Sequence, residues 1–292
     1  MTPLRKRLIE DMTVRNLAPN TQATYVQQVS MFARHFGRSP ETLGPEDIRS
    51  YQVYLAMEKE LAPSSVITAV AALRFLYNVT LQKQWVFEEV IPAPRIPDKL
   101  PVVLSPEEVL QFLECVEHIK HRTILTACYA AGLRISEAVH LKLVDIDSSR
   151  MVIRIEQGKG RKDRYVMLSP RLLDTLPHWW RTERPQHWLF PGKRADKPIR
   201  RESVEKACQE AYSRCGISKP ITPHSFRHAF AVHMLENGTD VRTIQLLMGH
   251  RSLSTTVNYL RITTTKVCSA TSPLDLLPRP VEAKAFLPPQ QN

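Results

Sequence analysis

At 292 residues the chain is longer than one hydrophobic core comfortably organises, about 250 residues, so two domains are expected. Its 40 Lys and Arg against 29 Asp and Glu leave a formal charge of +11, although charged residues make up an ordinary 24%. The sign is what is unusual, and it points to a polyanionic partner, nucleic acid before others, against the plainer reading of a basic surface kept for solubility.

Several classes are excluded at the same level. No apolar run reaches the roughly 18 residues of a membrane span, and the first dozen residues lack the apolar stretch of a secretory signal, so a cytoplasmic location with no membrane partner is expected. The five cysteines, Cys115, Cys128, Cys208, Cys215 and Cys268, are scattered without a C-x-x-C, which supports neither a disulfide framework nor a zinc ribbon. No G-x-x-x-x-G-K-[ST] run is present, so any phosphate chemistry is expected to proceed without ATP.

In chain order, the first ninety residues read as helices. After Ala18-Pro19, apolar residues at Tyr25, Val29, Phe32 and Phe36 share a face before Gly37. Pro45 opens a helix with Ile48, Tyr51 and Leu55 on one side, and Pro63 opens another with Val66, Val70, Leu73 and Tyr77. Residues 91–101 carry four prolines and read as an extended, semi-rigid linker. Ser105-Pro106-Glu107-Glu108 restarts a helix with capping-type residues, and residues 121–142 continue helical with an interruption at Gly132. Met151–Glu156 and Arg164–Leu168 alternate β-branched residues around a turn rich in Gly and charge, which suggests a small antiparallel hairpin. From Val267 onward Pro, Ser and Thr accumulate, and the tail is expected to be only locally ordered.

Residues 221–238 are the most informative stretch. Thr222 as N-cap and Pro223 in the first turn start a helix that Asn237-Gly238 would end. His224 and Arg227, three apart, then share a face at the helix N-terminus, where free N–H groups and a partial positive charge favour a phosphate. A second helix, Asp240 to Met248, is closed by Gly249, His250 follows directly, and Ser252 caps a short helix carrying Tyr259. Each of these alone has a blander reading: a helix-start His satisfying a carbonyl, an Arg paired with a surface carboxylate, a Tyr packed in a core. His224 and His228 do not read as a metal pair, because the H-E-x-x-H arrangement needs a Glu where Ser225 stands.

Taken in order, Ala131-Gly-Leu-Arg134-Ile-Ser-Glu137-Ala, Gly158-Lys159-Gly-Arg-Lys-Asp-Arg164, His224-Ser-Phe-Arg227-His, Met248-Gly-His250 and Tyr259 resemble the tyrosine recombinases, also called the phage integrase family. Within it the compact motifs look most like the Xer, integron and transposon-borne integrases. Met248 stands where Leu is commoner and Ala131 where Thr is common. The resemblance implies a mainly α fold: a helical, SAM-like core-binding domain over 1–90, the linker at 91–101, an α-rich catalytic domain with a small antiparallel sheet over 102–265, and a tail, 266–292, exchanged between protomers. The apolar island Ser272-Pro-Leu-Asp-Leu-Leu277 is the part of the tail expected to dock on a neighbour, the plainer reading being a tail folded back on its own domain.

The chemistry accounts for the same residues. A phosphodiester attacked by a hydroxyl builds charge on its non-bridging oxygens, and two guanidiniums can neutralise it in fixed, bidentate geometry. Arg134 and Arg227 are the candidates for that clamp, and His250 adds a hydrogen bond. Tyr259 is the candidate nucleophile, with His224 its general base by analogy with the family. Lys159, in the turn between the strands, fits the acid that protonates the leaving 5′-oxygen, while Arg161, Lys162 and Arg164 are assigned to phosphate contacts that hold the duplex. No cofactor and no metal is expected. The resemblance further implies a double-stranded DNA partner at specific recombination sites, a homotetramer on DNA built as a dimer of dimers, and room for a partner recombinase or accessory protein. A type IB topoisomerase-like nicking and closing enzyme, a DNA-binding accessory protein without catalysis, and a metal-dependent nuclease are the competing readings.

Overall fold

The computed structural model describes residues 1–86, 89, 91–94, 102–156, 163–250 and 252–260, apart from the side chains at 254, 255 and 258. The chain divides into two compact units, Met1–Lys99 and Leu100–Asn292. Most of the expected linker and the whole of the expected tail lie outside the described residues.

The first unit is helical. It comprises α1 (Pro3–Val14), α2 (Pro19–Phe36), α3 (Pro45–Val53) and α4 (Pro63–Phe75), each opening on a proline whose missing N–H costs nothing in a first turn. Helix α1 precedes the three helices read from periodicity and contributes Leu8 and Met12 to the core. Helices α3 and α4 continue into wider, π-type turns at Tyr54–Glu58 and Leu76–Thr80, so the apolar stripes reach Leu55 and Tyr77, both fully buried. Phe32 is the centre of this core, its ring 5.0 Å from Tyr51 and 6.4 Å from Tyr77. The Tyr77 hydroxyl donates to the Pro40 carbonyl at 2.8 Å, so the one polar atom of this buried ring is satisfied. Arg74 donates to the Ile91 carbonyl and Gln52 to that of Pro92, which ties the start of the proline-rich segment to α4 and α3.

The second unit carries α5 (Pro106–Glu114), α6 (Ile119–Ala130), α7 (Ile135–Ala138), α8 (Pro170–Glu183), α9 (Arg201–Tyr212), α10 (Pro223–Glu236), α11 (Val241–Met248) and α12 (Leu253–Leu260). Ser105 and Glu108 cap α5 reciprocally, at 3.2 and 2.7 Å. The helical stretch expected over 121–142 is shorter than read: after Gly132 it resumes only for the single turn of α7. Three strands, β1 (Ile146–Asp147), β2 (Val152–Ile155) and β3 (Arg164–Met167), form an antiparallel sheet in the order β1-β2-β3. The expected hairpin is β2-β3, with Ile153 opposite Val166 and both buried. Strand β1, two residues long, is an addition to it.

Helix α10 is the axis of this unit. Phe226, Arg227, Ala229, Phe230, Ala231 and Val232 are all buried, the pattern of a helix surrounded on every side. It packs against α6, α11 and α12, and thereby fixes the segments that carry the candidate residues. No helix among the described residues is long and apolar enough to cross a membrane.

Candidate active site

The site is assembled around one carboxylate. Glu137, on α7 with a side chain 7% exposed, receives hydrogen bonds from the Arg134 backbone N–H (2.9 Å) and guanidinium (2.7 Å), and from two nitrogens of Arg164 (2.9 and 2.8 Å). Arg227 Nη1 lies 4.0 Å away on the same carboxylate. Burial pushes the Glu137 pKa up, but the hydrogen bonds and charges of Arg164 and Arg134 outweigh it and hold the acid at about 2. Three guanidiniums therefore share one anion, and the cluster keeps an excess of positive charge.

Backbone carbonyls hold Arg227 and Arg134 in place. Arg227, 1% exposed, donates through Nη1 to the Gly132 carbonyl and through Nη2 to that of Met248. Gly132 has φ +62°, and a Cβ there would lie 2.5 Å from the Phe230 ring, so the carbonyl that receives Arg227 depends on glycine. Burial, then Arg134, lowers the Arg227 pKa to about 10, which leaves it cationic at neutral pH. Arg134 Nη2 donates to the Gly249 carbonyl at 3.3 Å.

The other side of the site is built by α10, α11 and α12. Thr222 and Ser225 share hydrogen bonds at the start of α10, with the Thr222 N–H donating to Ser225 Oγ at 3.1 Å. Asp240 caps α11 through the N–H groups of Arg242 and Thr243, and Gly249 ends it with φ +61°. This left-handed turn delivers His250, whose N–H donates to the Gln245 carbonyl and whose Nδ1 meets Thr256 Oγ1 at 2.9 Å. Tyr259 is 4% exposed, its ring stacked 6.4 Å from that of His250.

The hydroxyl of Tyr259 lies 2.8 Å from Nδ1 of His228. His224 is one turn earlier on α10, its ring 4.4 Å from that of His228. Burial leaves the Tyr259 pKa raised, with Arg227 and Arg134 opposing it only in part. Loss of solvent around the ring, then Arg227 and Arg134, lowers that of His224. Burial, then His224 and Arg227, brings His228 to about 4. Both imidazoles are thus neutral at pH 7, and neither adds to the positive charge of the cluster.

Arg134, His224, Arg227, His250 and Tyr259, which span 126 positions of chain, are thereby brought into one site. Models of the phage integrase family and of its N-terminal SAM-like domain match residues 102–266 and 4–86. A Sinorhizobium fredii chain named as an integrase/recombinase is 65% identical over 280 residues, 96% of this chain and 91% of that one.

The chain belongs to the phage integrase family, the tyrosine recombinases.

It is by family a site-specific recombinase. A tyrosine recombinase XerC from Halalkalibacterium halodurans is 33% identical over 235 residues, covering 74% of this chain and 77% of that one. Among solved structures, a lambda integrase dimer bound to a core site matches with TM-score 0.72 at 17% identity, over 88% of this chain and 93% of that one. The XerH recombinase in a post-cleavage complex matches with TM-score 0.70 at 21% identity, over 88% and 80% of the two chains. These two establish likeness of fold.

Within this recombinase fold, Arg164 is not where a phosphate contact requires it to be. Its side chain is 12% exposed, Nη1 and Nη2 are spent on Glu137, and Nε donates to the Leu247 carbonyl at 2.8 Å. It lies on the inward face of β3 with Val166, so the expected DNA phosphate contact is not what the structure places there: its guanidinium nitrogens are spent on protein acceptors. Lys159, Arg161 and Lys162 lie outside the described residues. His228 and Glu137 belong to the site without having been assigned a part from sequence. Glu137, three residues after Arg134 at the start of a helix, carries the acidic first-turn signal of a cap. Among the described residues no three His, Cys, Asp or Glu side chains gather as a metal site would need.

Proposed function

We propose that this recombinase binds double-stranded DNA at specific sites and cuts and rejoins it through a covalent 3′-phosphotyrosine intermediate. The convergence of Arg134, Arg227, His250 and Tyr259 on one locus carries the reading. Arg134 and Arg227 bind the non-bridging oxygens of the scissile phosphate, and their charge grows in value as the pentacovalent transition state forms. Tyr259 Oη attacks phosphorus, the bond to the 5′-oxygen breaks, the phenolic proton passes to His224, and Lys159 donates a proton to the leaving oxygen. His228 orients the phenol before the substrate arrives. The phosphotyrosine keeps the energy of the broken bond, so a new 5′-hydroxyl can reverse the step with no nucleotide consumed.

Four protomers, as a dimer of dimers on two duplexes, would exchange one pair of strands, pass through a Holliday junction and exchange the second. A groove of about 710 Å³, lined among others by Leu110, Leu113, Tyr129, Phe230 and Met234, is where residues 272–277 of a neighbouring protomer would dock. Strand exchange is tested on a plasmid carrying two copies of a site selected by the protein from random duplexes. Recombinant products, formed equally with chelator present, support the reading. Supercoil relaxation without recombinants would replace it with a nicking and closing activity.

A further inference from the structure

Arg164 is not needed as a mere filler of its position. It occupies an inward site on a strand, where an apolar residue would pack with no desolvation cost, and a buried ion pair is weak evidence for stability on its own. What arginine supplies there is direction: three nitrogens bonded along fixed lines to two different elements, α7 through Glu137 and α11 through the Leu247 carbonyl. Its side chain also lies close against the turn that follows α11: a Cβ on Gly249 would lie 3.2 Å from Arg164 Cδ, Cζ and Nε. That turn offers the Gly249 carbonyl to Arg134 and begins the segment carrying His250.

The electrostatics point the same way. An ionised carboxylate has about four lone-pair sites. Arg164 occupies two of those on Glu137, and Arg134 takes its share through one backbone and one side-chain bond. With Arg164 removed, Glu137 is free to turn onto Arg134 and Arg227, and its charge then competes with the phosphate for the same guanidiniums.

We propose that Arg164 is a positioning residue of the reaction: by fixing Glu137 and the Leu247–His250 turn together, it aims Arg134 and His250 at one phosphate and keeps the Glu137 charge from quenching the clamp. This rests on the clamp reading given above for Arg134 and Arg227. The test uses the full-length protein on a nicked suicide duplex carrying a site selected with the wild-type chain. The scissile group is either the phosphodiester or a methylphosphonate, which lacks the charge the clamp serves.

Arg164→Gln is expected to cleave the phosphodiester about a hundredfold more slowly, the scale of a catalytic group displaced by an ångström. It should bind the duplex with unchanged affinity and salt slope, and recover most of the lost rate on the methylphosphonate, in parallel with Arg134→Ala. Arg164→Lys keeps the charge without the two-nitrogen fork, so it should lose less and recover likewise; it carries the test where the Gln variant does not fold. An equal loss on both substrates, no loss at all, or weaker binding with a salt slope reduced by about one would each overturn the proposal. Recovery of Arg134→Ala without recovery of the Arg164 variants defeats the role of Arg164 alone, whereas failure of Arg134→Ala to recover defeats the clamp reading and this proposal with it.

Discussion

Two histidines one turn apart on α10 are given different parts in the proposed mechanism, His224 as base by analogy with the family. His228 meets the Tyr259 hydroxyl at 2.8 Å, while His224 feels the charge of both Arg227 and Arg134. Alanine at His224 is expected to slow cleavage by about 10²- to 10⁴-fold, the range for a lost general base. Alanine at His228, which on the proposed mechanism orients rather than accepts, should cost about tenfold or less; single-turnover cleavage rates check the difference, and a larger loss at His228 than at His224 would make His228 the base. The depressed pKa of His228 also sets a pH signature. Between its ordinary 6.5 and the folded value of about 4, the unfolded chain binds the proton and the folded chain does not. Stability is therefore full above pH 6.5 and falls as the pH drops toward 4, and His228→Phe should flatten that part of a melting-temperature profile. Spacing alone presents His224 and His228 equally, one turn apart on one face. Which of them meets a hydroxyl some thirty positions later depends on how α12 packs on α10, and no local pattern encodes that. The inward position of Arg164 was legible in its alternation with Val166 on β3, but the basic sequence before it drew the reading toward DNA.

Elements whose boundaries are set by local chemistry were readable in advance, as with Thr222-Pro223 at the start of α10, the Ser105–Glu108 cap of α5 and the Gly249 end of α11. Strand β1 and the one-turn α7 were not, since two to four residues hold no period, and they exist through pairing with β2 and through the bonds to Glu137. Glycine 132 shows how an element junction serves the site. Both Gly132 and Gly216 have positive φ in the same unit, but a Cβ on Gly216 meets nothing within 4 Å, whereas one on Gly132 strikes the Phe230 ring. Gly216→Ala should cost about 1–2 kcal/mol for the backbone alone. Gly132→Ala should cost that and roughly 1–3 kcal/mol more for overpacking. Because it displaces the carbonyl that receives Arg227, it should also slow cleavage, which Gly216→Ala should leave unchanged. Chemical denaturation of the two variants beside cleavage assays tests both statements.

At the scale of the whole chain, the charge of +11 was legible only as a polyanionic partner. It acquires structure once the guanidiniums of Arg134, Arg164 and Arg227 are found around Glu137. The mainly helical fold with a small antiparallel sheet follows from the sequence pattern, and the family membership accounts for its long-range arrangement. Assembly lies beyond a single chain: if residues 272–277 dock on a neighbour, a chain ending after Val267 should bind its site yet fail to form tetramers on paired duplexes, and normal tetramers by native gel would show the tail to be dispensable. The most direct test of the central claim is covalent trapping. The full-length protein is incubated with a nicked suicide duplex bearing its selected site, and denaturation-resistant protein–DNA adducts are counted. The wild type should form the adduct through the 3′-phosphate, and Tyr259→Phe should bind the duplex equally and form none. An adduct formed by Tyr259→Phe, or none formed by the wild type on its own site, would contradict the assignment of Tyr259 as the nucleophile.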